Sequence, residues 1–469
     1  MNHRQILGFA VGPVAAGGLS ALSLPVMTWI FPAEAIGQLS MLQVAINFAI
    51  ILSCLGLDQA YVREYHETED KPNLLLNAAL PGLAILFLML LTILLIAPES
   101  LSAILYDEKH VQFSILTAAC IMVAYVSRFL SLVLRMQNRG LAYSMSQILA
   151  KLLLLAIIVI YAFATTKRGF SMLLGAQAAA LTLTLIVFSW NTRYDWLQAL
   201  HARLHSSTFK HLFAFGWPLI FGGVASWGLA AMARLFLRSY SSFEELAFYS
   251  VASSIASAAT VMAGIFNVIW SPIVFQWVAN NENLERINTI AYHMTTIVFI
   301  SLCFVAAISP VIQYILPLSY NGVQFLIVGC MAAPLYYTLA EVTGIGISVT
   351  RRTVFALMAA VSAVIVNAVL CLLLVSNYGA TGAMIANVTA FWVYWILRTE
   401  FSALIWNKLY RCPLHIYAIG IWVLSVIVGV SGYKSNIEIR IVLWIVSIAS
   451  LWHGRRSLHA IWQLATQRH

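Results

Sequence analysis

Charge is what this sequence has least of. Asp, Glu, Lys and Arg together make up 9% of its 469 residues, against about 25% in an ordinary soluble domain, so the chain lacks the polar surface that keeps a protein in water. Cysteine is sparse and unpatterned. The six residues (Cys54, Cys120, Cys303, Cys330, Cys371 and Cys412) form no CxxC pair, and five lie inside apolar runs. That usage fits small core residues rather than a metal site or a disulfide framework. No GxxxxGK[ST] loop occurs, so nothing points to a nucleotide-driven engine. The longest connection between apolar runs is 191–210, which leaves no sizeable extramembrane domain to house an active site. The net charge of +9 can signal nucleic acid, but Lys and Arg here stand singly or in pairs between apolar runs, as topology determinants do. Nucleic acid is therefore excluded as a partner.

The hydrophobic residues, 61% of the chain, fall instead into long runs such as 74–97 and 354–375. A helix needs roughly 20 apolar residues to cross a hydrocarbon core of about 30 Å. The runs predict an all-α integral membrane protein with about 14 transmembrane helices, the first over 6–31 and the last, short and carrying Arg440, over 437–452. Residues 5–31 are too long and too Gly-rich for a cleaved signal peptide. With this span count and a cytoplasmic N-terminus, only Lys109, Lys167, Arg168, Lys434 and Arg440 fall on the outer side. Arg128, Lys151, Arg234 and Arg238 fall within spans, and the other 17 of the 26 Lys and Arg lie on the cytoplasmic side. The bias obeys the positive-inside rule and predicts that both termini are cytoplasmic.

In the connection Asn191–Lys210, Trp196, Leu197, Leu200 and Leu204 recur at helical spacing against Arg193, His201, Arg203 and His205. This is the pattern of an amphipathic helix lying in the membrane interface. It also marks a midpoint. The expected organisation is an N-terminal six-helix lobe (1–190), this linker (191–210), a C-terminal six-helix lobe (211–405), and a terminal helix pair with a cytoplasmic tail (406–469).

The halves echo each other. Gly12-Pro13 and Trp217-Pro218 each open a span and lead into small residues, and Glu34 in the loop that follows has its counterpart in Glu244-Glu245. In the eighth span (246–271), Ser250, Ser253, Ser257, Thr260, Gly264, Asn267 and Ser271 advance by steps of three and four. They share one face, about 30 Å long. Shifted by 210 positions, Ser40, Gln43, Asn47, Ile50 and Cys54 keep the same register in the second span (38–60), and Asp58 follows at its cytoplasmic end. Lipid cannot satisfy such faces. Small polar residues also glue helices together, but the shared register favours the walls of a central cavity within two parallel six-helix repeats.

Ionisable residues within a membrane mark pathways or buried pairs. Lys151 lies ten residues into the fifth span (141–164), near the midplane, on a face with Ser144 and Gln147. Arg128 in the fourth span aligns with Ser131 and Arg135, while Arg234 and Arg238 stand one turn apart toward the outer end of the seventh. Snorkelling accounts equally well for Arg128 and Arg234, and better for Arg238. Glu341 in the tenth span reads either as a coupling-ion or proton site or as the partner of a buried cation. Asp58 and Arg63 flank the end of the second span and are placed to pair with each other, and Asp58, like Glu341, is a candidate ion-coupling or charge-pair acid; His211 and His293 read as structural. Four in-membrane cations against one clear acid predict a cavity that favours an anion, and arginine suits phosphate geometry.

The stretch GPVAAGGLSALSLPVMTWIFPAEAIGQLSMLQVAINFAIILSCLGLDQAYVREY resembles the Wzx-type flippases of polysaccharide biosynthesis, members of the multidrug/oligosaccharidyl-lipid/polysaccharide (MOP) exporter superfamily. The resemblance rests on Gly12-Pro13, Pro25, the short Phe31–Gly37 turn with Ala35-Ile36-Gly37, and Gly56-Leu57-Asp58 leading to Val62-Arg63-Glu64. It implies two MATE-like lobes that alternate access to a cationic cavity lined by helices one, two, seven and eight. The implied task is to carry undecaprenyl-pyrophosphate-linked oligosaccharide, an O-antigen or related repeat unit, from the cytoplasmic to the periplasmic leaflet of a bacterial inner membrane. Carried over by position, Arg234 is the candidate for the pyrophosphate and Arg63 lies at the cytoplasmic mouth. The superfamily's lipid II flippases carry arginines in helix one, and the first span here has none beyond Arg4, a departure from that branch. Their terminal helix pair holds the lipid tail, a role open to spans thirteen and fourteen. No cofactor and no enzymatic activity are implied. The expected partners are the lipid-linked substrate, membrane lipids, and the polymerase and other membrane proteins of polysaccharide assembly. Competing readings are a MATE-like ion-coupled exporter of another amphipathic substrate, disfavoured by the charge sign, and a membrane-embedded polymerase or ligase, disfavoured by the short loops.

Overall fold

The computed structural model describes residues 3–137, 139–164, 168–280, 285–406, 410–431, 444–445 and 450. Helices dominate, and no strand occurs among the described residues. This is what an apolar chain in lipid requires, because a helix satisfies each backbone N–H and C=O within its own segment. The chain divides into two compact units, Met1–Ala231 and Met232–His469.

The first unit contains α1 (His3–Thr28), α2 (Ala33–Cys54), α3 (Leu57–Glu64), α4 (Lys71–Ile96), α5 (Ser100–Tyr106), α6 (Val111–Met136), α7 (Gly140–Ala164), α8 (Phe170–Asn191) and α9 (Arg193–His201), and most of α10 (Ser206–Tyr240). The second contains α11 (Phe243–Ala279), α12 (Glu285–Ile308), α13 (Ile312–Ile315), α14 (Val323–Thr343), α15 (Ile345–Val349), α16 (Val354–Ile405) and α17 (Arg411–Ser431). Ten helices among the described residues are long and apolar enough to cross a membrane, so the chain is a multi-pass membrane protein. The expected last span, 437–452, lies outside the described residues except for 444–445 and 450.

At 52 residues, α16 would run to about 78 Å if straight, more than twice a hydrocarbon core. Gly379 bends it (φ 49°, ψ −130°), a left-handed conformation that favours glycine. The second half is capped from outside: the Ala380 N–H donates to Glu245 Oε2 at 2.7 Å. A Cβ on Gly379 would strike that same carboxylate. The polar-face register also appears in the helix starts. Ala33 of α2 and Phe243 of α11 are 210 residues apart, as are Phe170 of α8 and Ala380.

In the first unit α1 packs along α7, and α6 and α7 pack against α8. Gly12, Ala16 and Ser20 recur every fourth residue of α1, and such small residues let two helices approach closely. The Gly12 N–H donates to Ser144 Oγ at 3.1 Å. Lys151 Nζ donates to the Ala16 carbonyl at 3.2 Å and to Ser20 Oγ. The linker helix α9 docks on α4. Asn73 Nδ2 donates to the Arg203 carbonyl at 2.8 Å, and the His205 N–H donates to Oδ1 of the fully buried Asn77 at 3.0 Å. Gln137 Nε2 reaches Asp195 Oδ1 at 2.7 Å. Leu197, Leu200 and Leu204 stay exposed.

In the second unit α14 is central, packing against α11, α12, α16 and α17. Tyr336 donates its hydroxyl to the Ala418 carbonyl at 2.5 Å, and Thr343 and Thr399 share a hydrogen bond at 2.6 Å.

Candidate functional site

The end of α2 borders a cavity of the first unit. The helix stops at Cys54 because Leu55 (φ 50°) and Gly56 (φ 70°) both turn left-handed before α3 restarts at Leu57. The Gly56 backbone presses against Gly216 of α10. A Cβ on Gly56 would land on the Gly216 carbonyl, and one on Gly216 would come within 2.8 Å of the Gly56 carbonyl group. Only a glycine pair fits this crossing. It brings Leu219, Ile220 and Gly223 of α10 over the break and encloses a cavity of about 390 Å³ with Asn47, Cys54, Asp58, Gln59 and Arg128.

Two opposite charges meet in that space. Arg128 Nη2 donates to Asp58 Oδ2 at 2.9 Å, and Gln59 Nε2 donates to the same oxygen at 3.3 Å. The carboxylate side chain is 12% exposed and the arginine side chain 40%. Arg128 Nε is buried without a hydrogen-bond partner. A guanidinium offers five N–H donors in a planar fork, and the contact with Asp58 engages Nη2 of an arginine that lines the cavity.

The expected Asp58–Arg63 pair does not form. Five helical positions advance by about 140° net, so the two side chains leave α3 on different faces. Arg63 is exposed instead, its guanidinium 4.7 Å from the Phe215 ring centroid and 3.7 Å from Glu64, which in turn lies 3.5 Å from His211. Of the polar face on α2, Ser40 is buried and donates to the Ile36 carbonyl at 3.0 Å, whereas Gln43 and Asn47 are exposed. Lys151 is half-buried and engaged by α1, as described above.

The second unit holds the remaining candidates. Arg234 is half-buried with its guanidinium 6.0 Å from the ring of buried Tyr249, and Arg238 lies 5.1 Å from the Phe243 ring. Along α11, Ser250 is buried and Ser253 donates to Cys330 Sγ at 3.7 Å. Ser257 is half-buried and Thr260 is exposed. The face thus begins as packing against α14 and opens farther along; the Asn267 side chain lies outside the described residues. Glu341 receives both Nη groups of Arg398, Nη2 at 3.5 Å, and Arg398 Nη1 also donates to the Tyr394 hydroxyl at 3.1 Å. Glu341 is thus paired with a buried cation.

The model of the family described as "Polysaccharide biosynthesis protein" matches residues 4–278. The chain belongs to that polysaccharide biosynthesis family. Its fold is similar to that of the solved "Lipid II flippase MurJ, inward closed conformation", with a TM-score of 0.67 over 97% of this chain and 99% of that one at 13% identity. It is also similar to the inward-facing conformation of a multidrug resistance MATE family transporter of the MOP superfamily, with a TM-score of 0.56 over 85% of this chain and 94% of that one at 13% identity. No curated protein matches the sequence. The fold of this family member is therefore similar to those of a lipid II flippase and a MATE family transporter.

Within this family member, three features escaped the sequence. Arg398, one of the 17 cations that the span count places on the cytoplasmic side, is 5% exposed inside α16, and its burial carries no signal in the charge count. Its signal was local: Tyr394, one turn earlier, is its partner. Gln59 follows Asp58 directly but carries no pattern. The Gly56–Gly216 crossing depends on a contact between helices 160 residues apart, which no local period encodes.

Proposed function

We propose that this polysaccharide biosynthesis protein is a flippase for undecaprenyl-pyrophosphate-linked oligosaccharide, an O-antigen or related repeat unit, in a bacterial inner membrane. The observation that carries the reading is the partly open Arg128 in the cavity at the α2–α3 break, in a chain whose family and fold are those of polysaccharide assembly and lipid or drug transport. Desolvated guanidinium groups bind phosphate oxygens through short, charge-assisted hydrogen bonds.

In this reading the protein acts by alternating access of two six-helix lobes (1–190 and 211–405), without chemistry on the substrate, and both termini are cytoplasmic. The headgroup enters at the end of α2 near Arg63 and meets Arg128, and Arg234 and Arg238 are the candidates of the second unit for contact with the same anion. Gln43, Asn47, Ser257 and Thr260 offer hydrogen bonds to the sugars along the way. Lys151 braces α1 against α7 and supports the first lobe. The neighbouring MATE structures keep drug export as the rival, but Arg128, Arg234 and Arg238 favour an anionic cargo.

The test is complementation of a flippase-deficient strain. Arg128→Ala and Arg234→Ala should each reduce surface polysaccharide at normal protein level. Full complementation by both variants would overturn the cationic path.

A further inference from the structure

The cavity at the α2–α3 break has a property that a simple cation site lacks. Among its lining residues the only charged groups are Asp58 and Arg128, and they neutralise each other at 2.9 Å. Its other walls are amide side chains (Asn47, Gln59) and apolar groups from α2 and α10. As it stands the site carries no net charge for an anion to seek. Yet the arginine is held at one corner of its fork, with Nε buried and unpartnered and the side chain 40% exposed.

We infer that Asp58 is an internal counter-anion that occupies Arg128 between transport cycles and competes with the substrate headgroup for it. This rests on the proposal that an anionic lipid headgroup enters the cavity. An anion arriving at the open part of the fork gains hydrogen bonds from Arg128 but also lies close to a carboxylate that is 12% exposed and, once displaced, keeps only Gln59 Nε2 at 3.3 Å. A buried carboxylate stripped of its cation is costly. The incoming anion must offset that loss through its own charge-assisted hydrogen bonds to the guanidinium. The carboxylate therefore lowers the affinity of the cavity for every anion, a displacement cost common to pyrophosphate and phosphate monoester. It also supplies the return step, since Asp58 re-engages Arg128 as the headgroup leaves and lowers the barrier to release.

The experiment uses the purified full-length protein in detergent, with farnesyl pyrophosphate and farnesyl phosphate as probes in titration calorimetry. Asp58→Asn should tighten binding of both probes by about tenfold, the worth of one charge-assisted contact. Asp58→Glu, which keeps the charge, should retain the wild-type affinities. If Asp58→Asn weakens binding as Arg128→Ala does, or leaves both affinities unchanged, Asp58 only positions the arginine and the inference is overturned. Tightening in Asp58→Glu equal to that in Asp58→Asn would overturn it in favour of shape. A different result, wild-type pyrophosphate binding by Arg128→Ala, would instead remove the underlying reading that the headgroup sits in this cavity.

Discussion

Removing Glu341 should destabilise the second unit severely, and removing Arg398 with it should not. Arg398 has a side chain only 6% exposed and Glu341 one that is 21% exposed. The guanidinium spans both carboxylate oxygens and the Tyr394 hydroxyl, and Gly344 leaves no slack, because a Cβ there would lie 2.9 Å from Arg398 Nε. Glu341→Ala strands a cation in this site. Losing one partner of a buried pair costs about 3–5 kcal/mol, and the partial exposure of Glu341 argues for the lower end. For a unit that unfolds cooperatively, about 3 kcal/mol corresponds to a fall in Tm of about 6–12 °C. Replacing both residues by apolar ones of similar volume is often neutral, so Glu341→Leu with Arg398→Met should recover most of the loss, less about 1–3 kcal/mol for the unpartnered Tyr394 hydroxyl. The assay is thermal unfolding of the detergent-purified protein followed by tryptophan fluorescence. An unchanged Tm in Glu341→Ala would refute the reasoning, as would a double variant less stable than the single one. Either result would return Glu341 to consideration as an ion-coupling carboxylate.

Three further outcomes follow from the packing of the first unit. Gly216→Ala should cost about 1–3 kcal/mol of stability, since its Cβ meets backbone, whereas Gly223→Ala should be nearly silent because its Cβ meets only the flexible Ile51 side chain at 3.3 Å; parallel melting curves check the contrast. Lys151→Met should preserve protein level and transport better than Lys151→Ala, since Met fills the α1–α7 seam and Ser20 keeps its own bond to the Ala16 carbonyl at 2.8 Å; membrane abundance and complementation measure this. Asn77→Leu should release the linker by removing the acceptor of the His205 N–H, a loss of about 1–3 kcal/mol, seen as faster tryptic cleavage between 193 and 210 in inside-out vesicles.

Much of the helical frame was legible because a hydrocarbon solvent leaves a chain few options, and runs of about 20 apolar residues report helices directly. The 210-residue register was legible for the same reason, since Ser, Thr and Asn are conspicuous against Leu and Val. The cavity was legible only in parts. Asn47, Asp58 and Arg128 stood out as polar residues in apolar helices, but their partners could not be assigned: Asp58 turned out to face Arg128, 70 positions away, rather than the nearby Arg63. Charge counts by side of the membrane also say nothing of the burial of Arg398, because an arginine near a span end looks the same in sequence whether it snorkels to water or folds back onto a carboxylate such as Glu341. Helix adjacency decides these pairings, and it arises from side-chain fit between distant segments that carries no short-range period.

Transport itself is tested most directly in proteoliposomes that contain the purified protein and a fluorescent undecaprenyl-pyrophosphate-linked oligosaccharide, with the outer leaflet probed by a membrane-impermeant lectin or hydrolase. The wild-type protein should expose lipid from the inner leaflet well above the rate in protein-free vesicles, and Arg128→Ala should bring the rate close to that of empty vesicles. An equal rate with and without the wild-type protein, or an undiminished rate in Arg128→Ala, would contradict the assignment of a cationic headgroup path in this chain.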